Sequence, residues 1–120
     1  LNAIESLQAT VSHLKKEVFM VLLLNSANVL LRDYRISEGT LKSYLVHPRE
    51  VFQPAITDLA ASIILVHNHP SGETQPSLED KNITNRLVQS GKLLDIPVLD
   101  HVIIGGSAYY SFREEGLLTE

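Results

Sequence analysis

Apolar and polar positions come in blocks along the chain, and each block has a readable period. Ile4, Leu7, Val11 and Leu14 recur at three- and four-residue steps, so an amphipathic helix opens the chain. Glu17 leads into Val18-Phe19-Met20-Val21-Leu22-Leu23-Leu24, a run too short for a helix of its own and rich in strand formers, which predicts a buried strand. Asn25-Ser26-Ala27-Asn28 has the composition of a hairpin turn, and a second strand follows from Val29 to Ile36. Gly39 breaks the pattern before a short strand through Lys42 to Val46. Pro48 suits the first turn of a helix, where its missing N–H costs nothing, and Val51, Ala55, Ile56 and Leu59 stripe that helix. Ser62-Ile63-Ile64-Leu65-Val66 predicts a central strand running straight into His67-Asn68-His69-Pro70.

After a polar loop, Ser71 to Pro76, a helix starts at Ser77-Leu78-Glu79-Asp80. Ile83, Leu87, Val88, Gly91 and Leu94 form its apolar face, and Pro97 stops it. Val98 to Ile104 is another apolar strand, and Gly105-Gly106-Ser107 turns the chain into Ala108 to Phe112 as a hairpin. Strands and helices alternate, which predicts an α/β or α+β domain with a mixed sheet flanked by helices.

Composition narrows the class. A chain of 120 residues, 44% of them hydrophobic, fits one compact domain over residues 1–120. It opens at Leu1 rather than Met, which points to a fragment of a longer protein. The absence of cysteine excludes disulfides, Cys-based zinc sites, iron–sulfur clusters and thiol nucleophiles, and it fits a reducing, cytoplasmic setting. No apolar run approaches the roughly 20 residues that span a bilayer, and the start does not read as a signal peptide. The net charge is −4 and the basic residues are scattered, with Lys15-Lys16 the densest pair, so no nucleic-acid patch stands out.

Chemistry concentrates after the central strand. Side chains two apart in a strand share a face, so His67 and His69 emerge together where pockets in α/β sheets commonly open. Asp80, in the first turn of the next helix, can supply a third ligand. Two His, a carboxylate and a water make a catalytic zinc site with an open position, and zinc lowers the pKa of such a water to about 7. Two other readings compete. Ser77-x-x-Asp80 also reads as a capping box serving only the helix N-terminus. His67-x-His69-x-x-x-Glu73 matches the ligand spacing of cupins, but the flanking glycines, a later His-x-x-x-Asn and an all-β pattern are missing. A zinc deaminase would need His-x-Glu and Cys-x-x-Cys.

His67-x-His69-Pro70, Ser77 and Asp80 together resemble the motif of JAMM (JAB/MPN) metalloproteases. His47-Pro48-Arg49-Glu50-Val51-Phe52, His67-Asn68-His69-Pro70-Ser71-Gly72, Pro76-Ser77, Asp80 and Asp100-His101 are similar to the RadC branch of that family. The resemblance covers almost the whole chain. It implies the three-layer architecture shared by JAMM and cytidine-deaminase-like proteins, within a longer RadC-type protein of which this is the C-terminal part. It implies one zinc ion held by His67, His69 and Asp80, with Ser77 stabilising the oxyanion. It also implies a glutamate beside the zinc-bound water. Glu17, before the first strand, fits that place. Glu50 is the competitor, although the helix dipole gives it a sufficient role in its first turn. Many JAMM peptidases have Ser or Thr between the histidines; Asn68 points away from them, so metal binding should survive the difference.

The function these features imply is zinc-dependent hydrolysis of an amide, peptide or isopeptide bond in a peptide or protein substrate, with Glu17 as general base. Two rivals remain. One is a catalytically silent interaction module, in keeping with the historical association of RadC with DNA repair. The other is a nuclease, which would commonly need more carboxylates and a second metal. Strand edges offer a route to a homodimer. Asp100 and His101 lie on opposite faces of their strand, so at most one faces the site, and a structural role is expected of both. His13 and His47 read as surface or capping residues.

Overall fold

The structure, a computed structural model, describes residue 8, residues 15–39 and residues 46–118. The elements are β1 (Val18–Leu24), β2 (Leu30–Glu38), α1 (Pro48–Thr57), β3 (Ser62–Asn68), α2 (Leu78–Leu94), β4 (Val98–Gly105) and β5 (Ala108–Ser111). Apart from Gln8, which is helical, the opening helix lies outside the described residues, as do the strand through Lys42 and His13.

Every residue of β1 is buried, as a strand covered on both faces must be. Its place in the sheet follows: the order is β2-β1-β3-β4-β5, so β1 is internal. All neighbours are antiparallel except β3 and β4, which run parallel. That pair needs a crossover, and α2 supplies it. The mixed sheet with two helices is the expected α+β class.

The two-residue period of the strands sorts side chains into two cores. Phe19, Val21, Leu23, Ile63 and Leu65 join Val51, Phe52 and Ala55 of α1 and Ile83 and Leu87 of α2 on one face. Val18, Met20, Leu22, Val66, Val102 and Ile104 form a second cluster on the other. His67 has the parity of Ile63 and Leu65, so it lies on the face that α2 covers. Asn68 has the opposite parity.

Several predicted boundaries move. β2 extends to Glu38 rather than Ile36, because Glu38 still pairs with Val18. The turn before it is held by Asn25, whose side chain accepts from the N–H groups of Ala27 and Val29. In α1 the buried stripe is Val51, Phe52 and Ala55, while Ile56 and Leu59 are exposed. Leu59 lies beyond the helix, which ends at Thr57, so it cannot continue the stripe. α2 stops at Leu94, before Pro97, because Asp95 turns left-handed at φ 60°. The turn brings the Ile96 carbonyl to within 2.5 Å of where a β-carbon on Gly91 would sit, so only glycine fits there. Leu94, expected on the buried face, is 44% exposed. Among the described residues no helix is long and apolar enough to cross a membrane.

Candidate metal centre

β3 delivers His67 at its end, 1% exposed, and His69 follows immediately. The His69 N–H donates to the Ile104 carbonyl (2.8 Å), so this residue is still tied to β4. The chain then turns at Gly72, whose N–H donates to the His69 carbonyl (2.9 Å), and returns at Ser77 to start α2.

Asp80 combines the two placements that the sequence left open, capping the helix and facing the histidines. Its Oδ2 accepts from the Ser77 N–H (2.7 Å) while Ser77 Oγ accepts from the Asp80 N–H (3.1 Å), a complete capping box. The same carboxylate, 1% exposed, places Oδ1 3.1 Å from His67 Nδ1 and Oδ2 3.2 Å from His69 Nε2. Capping therefore orients the carboxylate toward the histidines instead of competing with that placement. One ligand atom from each of His67, His69 and Asp80 lies within 4.8 Å of the others.

The hydrogen bonds test whether these residues suit a cation. His69 Nδ1 lies 2.6 Å from the Glu73 carbonyl oxygen. A carbonyl only accepts, so Nδ1 carries the proton and Nε2 of the neutral ring turns a lone pair toward Asp80. Such an arrangement calls for a proton or a metal ion between the two. Without the metal a proton does this work: the Asp80 hydrogen bond, opposed by burial, raises the His69 pKa. His67 goes further. Both of its ring nitrogens are buried without a hydrogen bond of proper geometry, despite the short approach to Asp80. Burial opposes ionisation of Asp80, but contacts with His67, His69 and the Ser77 N–H hold its carboxyl far below the usual range. An ionised carboxylate facing the Nε2 lone pair of His69 and a His67 ring without a well-formed hydrogen bond fits a divalent metal, and the Glu73 carbonyl is the kind of outer partner that fixes a ligand's tautomer.

Glu17 lies beside His67. Its Oε2 is 3.6 Å from His67 Nε2 and its side chain is 33% exposed, at the open edge of a cleft of about 420 Å³. Glu50 is exposed on α1 and does not line this cleft. Ser77 does line it. Glu73 touches His69 through its backbone, and its carboxylate accepts from the Gln75 N–H, so the cupin-like spacing has no counterpart in the ligand group. A larger, apolar depression of about 530 Å³ lies between α1 and α2, but no His, Asp or Glu lines it.

Asp100 and His101 both make contacts away from the open cleft. Asp100 ties down the chain after β5, accepting from Ser111 Oγ (2.5 Å) and the Arg113 N–H (3.0 Å). His101 is fully buried, stacked on Phe112 with ring centroids 4.7 Å apart. The Thr84 hydroxyl donates to the Asp80 carbonyl (2.8 Å) and so accepts from His101 Nδ1 (2.5 Å), linking His101 to the turn that carries Asp80. His47 stands at the N-cap of α1, but its side chain makes no capping hydrogen bond.

Burial, helped by His67, pushes the His101 pKa down to about 3. The unfolded chain therefore binds a proton that the folded chain refuses. The stability at stake is fully present above the unfolded value near 6.5 and is lost as pH falls from there toward 3, at about 1.4 kcal/mol per pH unit. His101→Leu should remove that slope from the metal-free protein. Urea midpoints at pH 7 and pH 5, with chelator present, check this; an equal acid loss in both proteins would refute it.

Sequence reading missed the contact beneath the loop. A β-carbon on Gly105 would sit 2.5 Å from the Gly72 carbonyl oxygen and 2.8 Å from Thr74 Cγ2. The loop between His69 and Ser77 thus rests on the end of β4. Gly105→Ala should displace it, costing roughly 1–3 kcal/mol and weakening metal binding. Thermal melts and metal titration of this variant give the readout, and wild-type values in both would show that the loop does not depend on the contact.

The model of the RadC-like JAB domain matches residues 1–117. The chain belongs to the RadC family. A UPF0758 protein of Clostridioides difficile is 53% identical over 106 residues, covering 88% of this chain and 45% of its own length. One from Symbiobacterium thermophilum is 53% identical over 115 residues, covering 96% and 49%. One from Trichlorobacter lovleyi is 54% identical over 104 residues, covering 87% and 45%. The chain spans about half the length of these RadC relatives. Their names carry no activity. The JAB fold and the His67–His69–Asp80 group of this RadC domain are compatible with a metallohydrolase.

Proposed function

We propose that this RadC domain is a zinc-dependent hydrolase that cleaves an amide bond in a peptide or isopeptide substrate. The observation that carries the reading is the convergence of two imidazoles and an ionised carboxylate with the Glu17 carboxylate beside them at the cleft edge. Two nitrogens and one oxygen suit zinc, which supplies an acidified water and a polarised carbonyl when bound.

The chain's own groups do the rest. Glu17 Oε2 takes a proton from the attacking water and returns it to the leaving amine, as a partly exposed carboxylate at the cleft mouth is placed to do. Ser77 Oγ already accepts from the Asp80 N–H, which leaves its hydroxyl hydrogen to donate to the developing oxyanion. The Glu73 carbonyl holds His69 in the tautomer that offers Nε2.

A peptide-library cleavage screen of the zinc-loaded protein against Glu17→Gln tests the proposal. Cleavage by the wild type alone supports it. A well-folded protein that holds no zinc and cannot take it up overturns it. Full zinc loading with no cleavage of any peptide or isopeptide would favour the silent interaction module.

A further inference from the structure

The residue between the two histidines does more than point away from them. Asn68 is 2% exposed and turns to the sheet face opposite His67 and His69. There its Nδ2 donates to the Lys16 carbonyl (3.0 Å) and its Oδ1 accepts from the Val18 N–H (2.6 Å). These groups flank Glu17 on both sides. The Glu17 carbonyl in turn accepts from the Gly39 N–H (2.8 Å). Both peptide planes adjoining the Glu17 α-carbon are thereby held, and those planes set the direction in which its side chain leaves the backbone.

Paired residues of β1 and β3 end at Phe19 and His67. Beyond that point the Asn68 carboxamide, chemically a peptide group with one donor side and one acceptor side, takes over where the backbone ladder stops. We propose that Asn68 is a positioning residue that couples the placement of Glu17 to the two histidine ligands, which are its immediate neighbours in the chain. The proposal rests on the reading of Glu17 as the base. The chemistry demands an amide: aspartate keeps the acceptor for Val18 but turns an acceptor toward the Lys16 carbonyl, and leucine keeps only the approximate volume.

The test uses Zn2+ and acetohydroxamate, a zinc chelator whose acidic proton a neighbouring carboxylate can accept. In the zinc-loaded protein Glu17→Gln should weaken acetohydroxamate binding about tenfold, the loss of one charged hydrogen bond. Asn68→Leu should weaken it similarly, leave Zn2+ affinity within about threefold of wild type, and add little in the double variant with Glu17→Gln. Amide exchange at Val18 should accelerate. If Asn68→Leu does not fold, Asn68→Asp serves, with a smaller loss in the same direction. The proposal is overturned if either Asn68 variant binds acetohydroxamate as wild type does while Glu17→Gln does not. It is overturned equally if Zn2+ and acetohydroxamate affinities fall together with the melting temperature, the mark of a merely structural residue. If Glu17→Gln has no effect, the base reading fails, and unchanged Val18 exchange in Asn68→Leu then rejects the clamp separately.

Discussion

Asp80→Ala should abolish tight zinc binding and destabilise the metal-free domain at the same time. The carboxylate is the only anionic member of the ligand group, and both of its oxygens are engaged: Oδ1 beside His67, Oδ2 on His69 and the Ser77 N–H. Losing an outer hydrogen bond to a ligand commonly costs about 10- to 100-fold in metal affinity, so losing the ligand itself should cost more than about 100-fold. The metal-free penalty has a separate source. The helix loses half of its capping box, typically about 1 kcal/mol, and the His69 ring loses the carboxylate that raises its pKa. Its pH window follows from the two shifts. The lowered Asp80 pKa contributes stability above its unfolded value near 4, and this is lost as pH falls below it. The raised His69 pKa contributes stability below about 6.5 that is lost as pH rises through the folded value. The variant's deficit should therefore be largest between about pH 4 and 6.5. Asp80→Asn separates the effects, because it keeps an acceptor for the Ser77 N–H but not the charge. Chelator competition and melts with chelator read the two quantities. One tightly held zinc in Asp80→Ala would remove Asp80 from the site.

Glu17→Gln should do the reverse, keeping zinc and stopping turnover. The substitution is isosteric, and Glu17 stands outside the three-residue ligand group, at the more exposed edge. Zinc stoichiometry and melting temperature should stay near wild type. Any substrate found by the library screen should be cleaved about 100- to 10,000-fold more slowly, the usual span for removing a general base. Loss of zinc together with activity would make Glu17 a ligand. Unchanged turnover would show that the base lies elsewhere.

The sequence was most informative where a periodic pattern met a fixed spacing. The alternation in β1 and β3 placed His67 and His69 on one face, and the spacing through Pro70 and Ser77 to Asp80 picked out the three residues that the fold brings together. Boundaries were less legible. The ends of β2 and α2 depended on pairing with Val18 and on a left-handed turn at Asp95, which are tertiary and backbone matters. Three partners that shape the site had no clear residue-type signal. The Glu73 carbonyl is backbone, the space above Gly105 is set by a loop distant in sequence, and Asn68 resembled a spacer until its reach to Lys16 and Val18 was seen.

The sequence by itself determined the family, the α+β class and the His67–His69–Asp80 group, because strand parity and motif spacing are local and one-dimensional. Only the tertiary structure decided that Asp80 both caps α2 and faces the histidines, and that Glu17, not Glu50, lies beside them. Those outcomes depend on how β1 registers against β3 and how the loop settles on β4. They arise from contacts between residues far apart in the chain, which no local period can encode.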